Sequence, residues 1–200
     1  MGKEYLFLIF TLKRSFSLAF LLSLVFLLSS YSFDKQVVGK YALISGEVRF
    51  ISKADLETIK STSKELKGVL DPLSHSVAFK IASTSFLGFN SQLQRDHFNE
   101  NYLESDLFPY CSFSGKIIDE VNFKKDGTYP IRAKGVLIVK GVSQERIVKG
   151  AIYIKGDELF LTSEFIVNLR DHDIRIPRIV QQKIAPEIEV SLTAKMKLVK

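Results

Sequence analysis

Arg95, Asp96 and His97 stand side by side inside Ser85–Gly115, the densest aromatic run beyond residue 32, where Phe86, Phe89, Phe98, Tyr102, Phe108, Tyr110 and Phe113 alternate with polar groups. A guanidinium, a carboxylate and an imidazole could serve general acid–base chemistry. They could also meet the polar head of a ligand whose apolar body lies against the rings, the usual make-up of a small-molecule site. A third reading has Arg95 and Asp96 in surface ion pairs and His97 capping the end of the domain. The residues alone leave these open.

The remaining reactive residues carry less. His75, His97 and His172 are the only histidines, and none forms an HxH or HxxxH pair. Asp171-His172-Asp173 has the composition of a metal site, but on a strand the two aspartates would face away from the histidine. Pairing with Arg170, Arg175 and Arg178 in a loop is the simpler reading, and no metal is expected. Cys111 is the only cysteine, so no intrachain disulfide can form; it reads as a small packing residue. The sequence has neither GxSxG nor a glycine-rich phosphate loop. Asp119-Glu120 and Asp157-Glu158 fall at or near turns and read as solvated pairs.

Lys3, Lys13 and Arg14 precede an apolar run from Phe16 to Leu28 that ends at Ser29-Ser30-Tyr31-Ser32. This is a secretory signal pattern with cleavage expected after Ser32, and the run falls short of the ~20 residues of a membrane span. Retention of residues 1–32 as an N-terminal anchor is the alternative; with no cysteine nearby, a lipoprotein anchor is not expected. Removing that segment lowers the formal charge from +6 by two. The rest is spread without a basic run, which argues against nucleic acid as a partner. Residues 33–200 suffice for one domain.

Period-two alternation dominates this domain, the signature of antiparallel strands with one buried and one wet face. Ile131, Ala133, Gly135, Leu137 and Val139 oppose Arg132, Lys134 and Lys140; Val148, Gly150, Ile152 and Ile154 oppose Lys149 and Lys155. Leu159, Leu161, Ser163, Phe165 and Val167 continue the scheme, and Ile188 to Leu198 is its cleanest instance. Val77-Phe79-Ile81 and Tyr110–Val121 read as further strands, and Lys40–Phe50 as a β-rich segment with a bend at Gly46. Gly68 to Ser74 reads as a turn, Lys125-Asp126-Gly127 as a hairpin turn, and the polar Asp55–Lys67 as a helical turn or ragged strand edge. Ser91–Leu103 switches to helical spacing, with Asn90 as N-cap. The predicted fold is all-β with a short helical insert, closing as an antiparallel barrel of about eight strands. Small interior residues, Ala133, Gly135, Gly150, Ser163 and Ala194, favour a lumen that side chains do not fill.

Arg95-Asp96-His97-Phe98-Asn99, then Leu103-Glu104-Ser105-Asp106-Leu107-Phe108-Pro109, and Gly135-Val136-Leu137 leading to Lys140-Gly141-Val142, resemble motifs of the YceI-like family. The likeness runs from about Lys40 to Leu198. It implies a lipocalin-like barrel with an elongated apolar pocket for polyisoprenoid or similar long-chain lipids in the periplasm. Asp55–Lys67 and the segment Arg170–Ile188 depart from the pattern and place the chain on a divergent branch, with an isoprenoid quinone or fatty acyl chain as other candidate ligands. The lumen and mouth would be lined by Phe79, Ile81, Phe86, Phe89, Phe98, Tyr102, Phe108, Phe113, Ala133, Leu137, Ile152 and Phe165, with Arg95 and His97 as head-group contacts. No catalytic residue or cofactor is then required, the mature domain does not insert stably in a membrane, and open edges near the termini would suit a homodimer. The alternatives are a small outer-membrane β-barrel and an enzyme using Arg95, Asp96 and His97.

Overall fold

The computed structural model describes residues 39–199; the segment assigned above to export lies outside them. The strands in chain order are β1 (Lys40–Lys53), β2 (Thr58–Ser63), β3 (Lys67–Asp71), β4 (Ser76–Ala82), β5 (Tyr110–Ile117), β6 (Gly127–Val139), β7 (Val142–Lys155), β8 (Glu158–Asn168) and β9 (Glu187–Val199). All pairs are antiparallel, in the order β2-β1-β3-β4-β5-β6-β7-β8-β9, and β9 returns to pair with β1. The circuit closes through β1 and β3, so the expected barrel is present. β2 and β3 share one edge of β1 and together make a single broken stave: β3 meets Tyr41 and Ala42, whereas β2 meets Val48 to Lys53.

That break decides where the barrel opens. β4 pairs with β3 from Lys67↔Lys80 to Asp71↔Ser76 and with β5 along its whole length. Beside β2 the wall is instead completed by the chain after β4, through reciprocal backbone bonds between Thr62 and Leu87 of 2.8 and 2.9 Å. Residues 83–109 therefore sit as a plug in a gap between staves, and a 2.9 Å bond from Ser83 N to Pro109 O ties off its base. Within the plug, α1 (Gln92–His97) runs into a π turn at Phe98–Tyr102. The N-cap is Ser91, whose hydroxyl accepts from Gln94 N. The expected cap, Asn90, instead donates its side-chain amide to Glu57.

Each departure from the expected strands has a local cause. Leu43 faces Met196 and Ser45 faces Lys195, leaving Ile44 as a β-bulge. A one-residue bulge reverses which parity faces inward, so Tyr41 and Val48 can both be buried, and the bend lies two residues before Gly46. β2 looks polar because its inward positions after Ile59 are serines. Ser61 donates to Leu87 O at 2.8 Å and Ser63 meets the Ser85 hydroxyl at 2.6 Å, both serines being almost fully buried. Ser61→Ala is expected to cost about 0.5–1.5 kcal/mol, the net worth of one hydrogen bond, since Leu87 O keeps its bond from Thr62 N; urea unfolding checks this. Gly68 belongs to β3 and not to a turn: it pairs with Phe79 on β4, whose ring a side chain at residue 68 would strike. The turn lies at 72–75, where Asp71 accepts backbone hydrogen bonds from Leu73 and Ser74. β5 ends at Ile117, and Asp126-Gly127 closes a longer connection, not a tight hairpin.

One end of the barrel is solid. Leu70, Ile152, Leu159 and Met196 have no exposure, and Tyr41 packs on Phe123 with ring centroids 6.1 Å apart. The small interior residues do not leave a void at the waist. Gly115 and Gly135 face each other across β5 and β6, and the Phe113 ring covers Gly135.

Candidate ligand-binding site

The hollow part of the barrel is its other end. A cavity of about 440 Å³ is bounded by the C-terminal halves of β1, β6 and β8, the N-terminal halves of β5 and β9, the plug, and a strap at residues 169–186 between β8 and β9. Val48, Ile81, Leu137, Val167, Val190 and Leu192 form aliphatic walls, and Phe79 and Phe113 lie on the side toward the solid core.

Four rings make its aromatic face. Phe50 on β1 stacks on Phe98 at 5.3 Å and meets Phe86 at 5.3 Å and Phe89 at 5.9 Å, while Phe89 and Phe98 are 5.0 Å apart. The plug is thus pinned by packing one strand phenylalanine among three of its own. Phe50 has no aromatic neighbour in sequence on the same face, so nothing local marked it.

The structure places Phe79, Ile81, Phe86, Phe89, Phe98, Tyr102, Phe113, Leu137, Phe165 and His97 around this cavity. Three residues expected there lie elsewhere. Ala133 and Ile152 are buried in the solid half, because their inward positions fall below the waist. Phe108 packs over Gly141 at the β6–β7 turn, where a positive φ of 71° and the ring itself reserve the position for glycine. Arg95 is not among the lining residues: its Nη2 donates to Thr84 O at 3.1 Å. Asp96 accepts from Gln92 Nε2 at 2.7 Å on α1. Arg95, Asp96 and His97 therefore do not converge on one point.

The polar groups gather at the mouth. Glu57, between β1 and β2, accepts from Asn90 Nδ2 at 2.9 Å and from Gln94 Nε2 at 3.0 Å. With Gln94, His97 and Lys183 it rims an otherwise apolar space. Glu57 and Lys183 come from the two segments, Asp55–Lys67 and Arg170–Ile188, that depart from the family pattern. Cys111 also faces the cavity, and burial pushes its thiol pKa up, which keeps it protonated and unreactive.

The strap is anchored by a histidine. Leu169–His172 forms a single 3-10 turn, Asp173 closes it at φ 57°, and His172 is buried with Nδ1 3.1 Å from Val142 O. A carbonyl only accepts, so that nitrogen carries the proton. Ala185 N donating to the buried Ser52 hydroxyl at 2.9 Å holds the far end. Burial lowers the His172 pKa below its ordinary 6.5. The unfolded chain then binds a proton more readily than the folded one, so the contribution is whole above that value and declines as pH falls below it toward the folded pKa. Denaturation midpoints measured from neutral pH down to roughly pH 5 should fall, and His172→Gln should remove that part of the slope.

A family model described as the YceI-like domain matches residues 22–196, nearly all of the barrel and the strap with it. The chain belongs to the YceI-like family. Solved structures agree on the fold. A polyisoprenoid binding domain from Saccharophagus degradans, implicated in plant cell wall breakdown, aligns with a TM-score of 0.67 at 8% identity, covering 80% of this chain and 98% of that one. Burkholderia cenocepacia BcnA aligns at 0.62 with 14% identity, over 75% and 95% of the two chains. The Campylobacter jejuni YCEI protein aligns at 0.56 with 15% identity, over 71% and 85%. No curated protein matches the sequence. In this YceI-like chain the closed antiparallel barrel with a short helical insert is the expected fold class, with β3 standing where a turn was expected.

Proposed function

We propose that this YceI-like protein binds one long apolar chain, a polyisoprenoid, isoprenoid quinone or fatty acyl group, and carries or sequesters it in the periplasm after export directed by residues 1–32. The observation that carries the reading is the cavity itself: about 440 Å³ with mostly aliphatic and aromatic walls and Glu57, Gln94, His97 and Lys183 at its mouth. That volume lies in the usual range of small-molecule sites. Transferring ten methylenes out of water is worth roughly 8 kcal/mol before ordering costs, so apolar walls alone can hold such a ligand. The S. degradans relative is described as a polyisoprenoid binding domain, which supports the same class of ligand.

The enzyme alternative loses its support because Arg95 is bonded to Thr84 O and Asp96 to Gln92, while His97 alone of the three lines the cavity. The outer-membrane alternative requires apolar residues outside and polar ones within. Here Leu70, Ile152 and Met196 are inside, and Arg132, Lys134, Lys149 and Lys155 are exposed on the outer face. Lipid extraction and mass spectrometry of the protein purified from its native cells test the proposal. A co-purifying isoprenoid or acyl lipid is expected; a protein that emerges empty and takes up neither a quinone nor a fatty acid overturns it.

A further inference from the structure

Three of the exposed apolar side chains stand around the mouth of the cavity. Ile179 on the strap is 91% exposed, Leu56 in the β1–β2 turn 67% and Leu93 on α1 62%. The three tips adjoin. Leu56 N donates to Gln182 O of the strap at 2.8 Å, Gln94 of α1 bonds to Glu57 beside Leu56, and Leu93, Val180 and Lys183 border the same opening. No other described segment encloses them.

Charge selects what could cover these tips. Residues 174–186 of the strap carry Arg175, Arg178 and Lys183 and no acidic residue. All three are exposed, and the strap's two carboxylates, Asp171 and Asp173, lie at its β8 end, leaving the strap with a net positive charge. The acidic groups nearest in sequence to the three tips are Asp55, Glu57, Asp96 and Asp173. Glu57 and Asp96 are already engaged by side-chain amides. Basic groups flanking exposed aliphatic tips are the pattern of a surface that enters an anionic lipid interface: the apolar residues partition among the acyl chains and the cations meet phosphate.

We propose that this rim docks on a bilayer containing anionic phospholipid, Ile179, Leu56 and Leu93 entering it and Arg175, Arg178 and Lys183 contacting phosphates, so that the cavity opens directly onto the membrane. The inference rests on the lipid-binding reading and extends it. An apolar chain moving between bilayer and barrel through such a contact is never fully exposed to water, which removes the largest cost of its transfer.

The sequence contains no tryptophan, so Ile179→Trp introduces a sole indole at the rim, and Leu73→Trp places one in the β3–β4 turn at the solid end. The probes are vesicles of phosphatidylcholine alone and of phosphatidylcholine mixed with phosphatidylglycerol. The expected result is a blue shift of the residue-179 emission and co-sedimentation only with the anionic vesicles, with no shift at residue 73. Arg175→Gln and Arg178→Gln should each weaken partitioning by roughly five-fold, and high salt should weaken it further. Failure to shift or sediment with anionic vesicles overturns the docking surface. So does a concentration-dependent shift without vesicles, which would assign the rim to a second copy of the chain. Lipid extraction of the same preparations separates the two readings. A protein that holds lipid yet ignores vesicles loses only the docking surface, whereas one that docks but never holds lipid loses the carrier function.

Discussion

Val190→Trp should empty the protein of ligand while leaving it folded. Val190 projects from β9 into the cavity, and an indole there occupies space the bound chain would need. Displacing even four methylenes forfeits about 3 kcal/mol of transfer free energy, a loss of affinity of roughly a hundredfold or more. The fold should bear the change, because the new ring enters free volume; the cost of overpacking is expected at no more than about 1–3 kcal/mol. Tyr153→Trp, on the outer face of β7, is the matched control and should bind as the parent does. Extracted lipid per mole of protein, read with circular dichroism and thermal unfolding, decides the matter. A Val190→Trp protein that still carries its full complement would show that the ligand lies elsewhere.

Gly135→Val should have the largest effect on stability. A Cβ at Gly135 would lie 2.3 Å from Ser114 O, 2.7 Å from Gly115 Cα and 2.8 Å from the tip of the Phe113 ring. Two of these are backbone atoms in a paired strand, so the clash cannot be relieved by turning a side chain. Strand β5 or β6 must move, and the Phe113 ring between the solid and hollow halves moves with it. A loss of at least about 3 kcal/mol is expected, with a fall in Tm of roughly 6–12 °C for a domain of this size. The same substitution at Gly156, where φ is positive but no atom lies within 4 Å, should cost only the backbone strain of that conformation.

How far the sequence discloses this architecture depends on how each segment satisfies its inward face. β6 to β9 are legible because tight turns join β6 to β7 and β7 to β8, and mostly apolar residues fill alternate positions against charged ones. β1 blurs because the bulge at Ile44 reverses the parity halfway along. β2 is hidden because buried serines bonded to the plug replace apolar side chains. At the site, the rings of the plug are visible as an aromatic cluster in sequence. The strand residue they surround, Phe50, is not, since its neighbours arrive from 36 to 48 positions away. Small inward residues pointed to an open lumen, but at Gly135 the space is taken up by the Phe113 ring. The hollow half is instead roofed by the plug and strap, whose placement depends on long-range contacts that no local pattern records.

The pairing of Lys40 with Val199 and of Ile51 with Glu189 fixes when the barrel can be completed. The first strand to leave the ribosome finds its partner on one edge only after the last has been made, so closure is the least local and the slowest of the pairings to form. Until then the outer edges of β1 and β8 present unpaired backbone groups and the interior is open along its length, the condition in which β-rich chains associate wrongly. A truncation that removes β9 is therefore expected to leave an aggregating chain, not a smaller barrel.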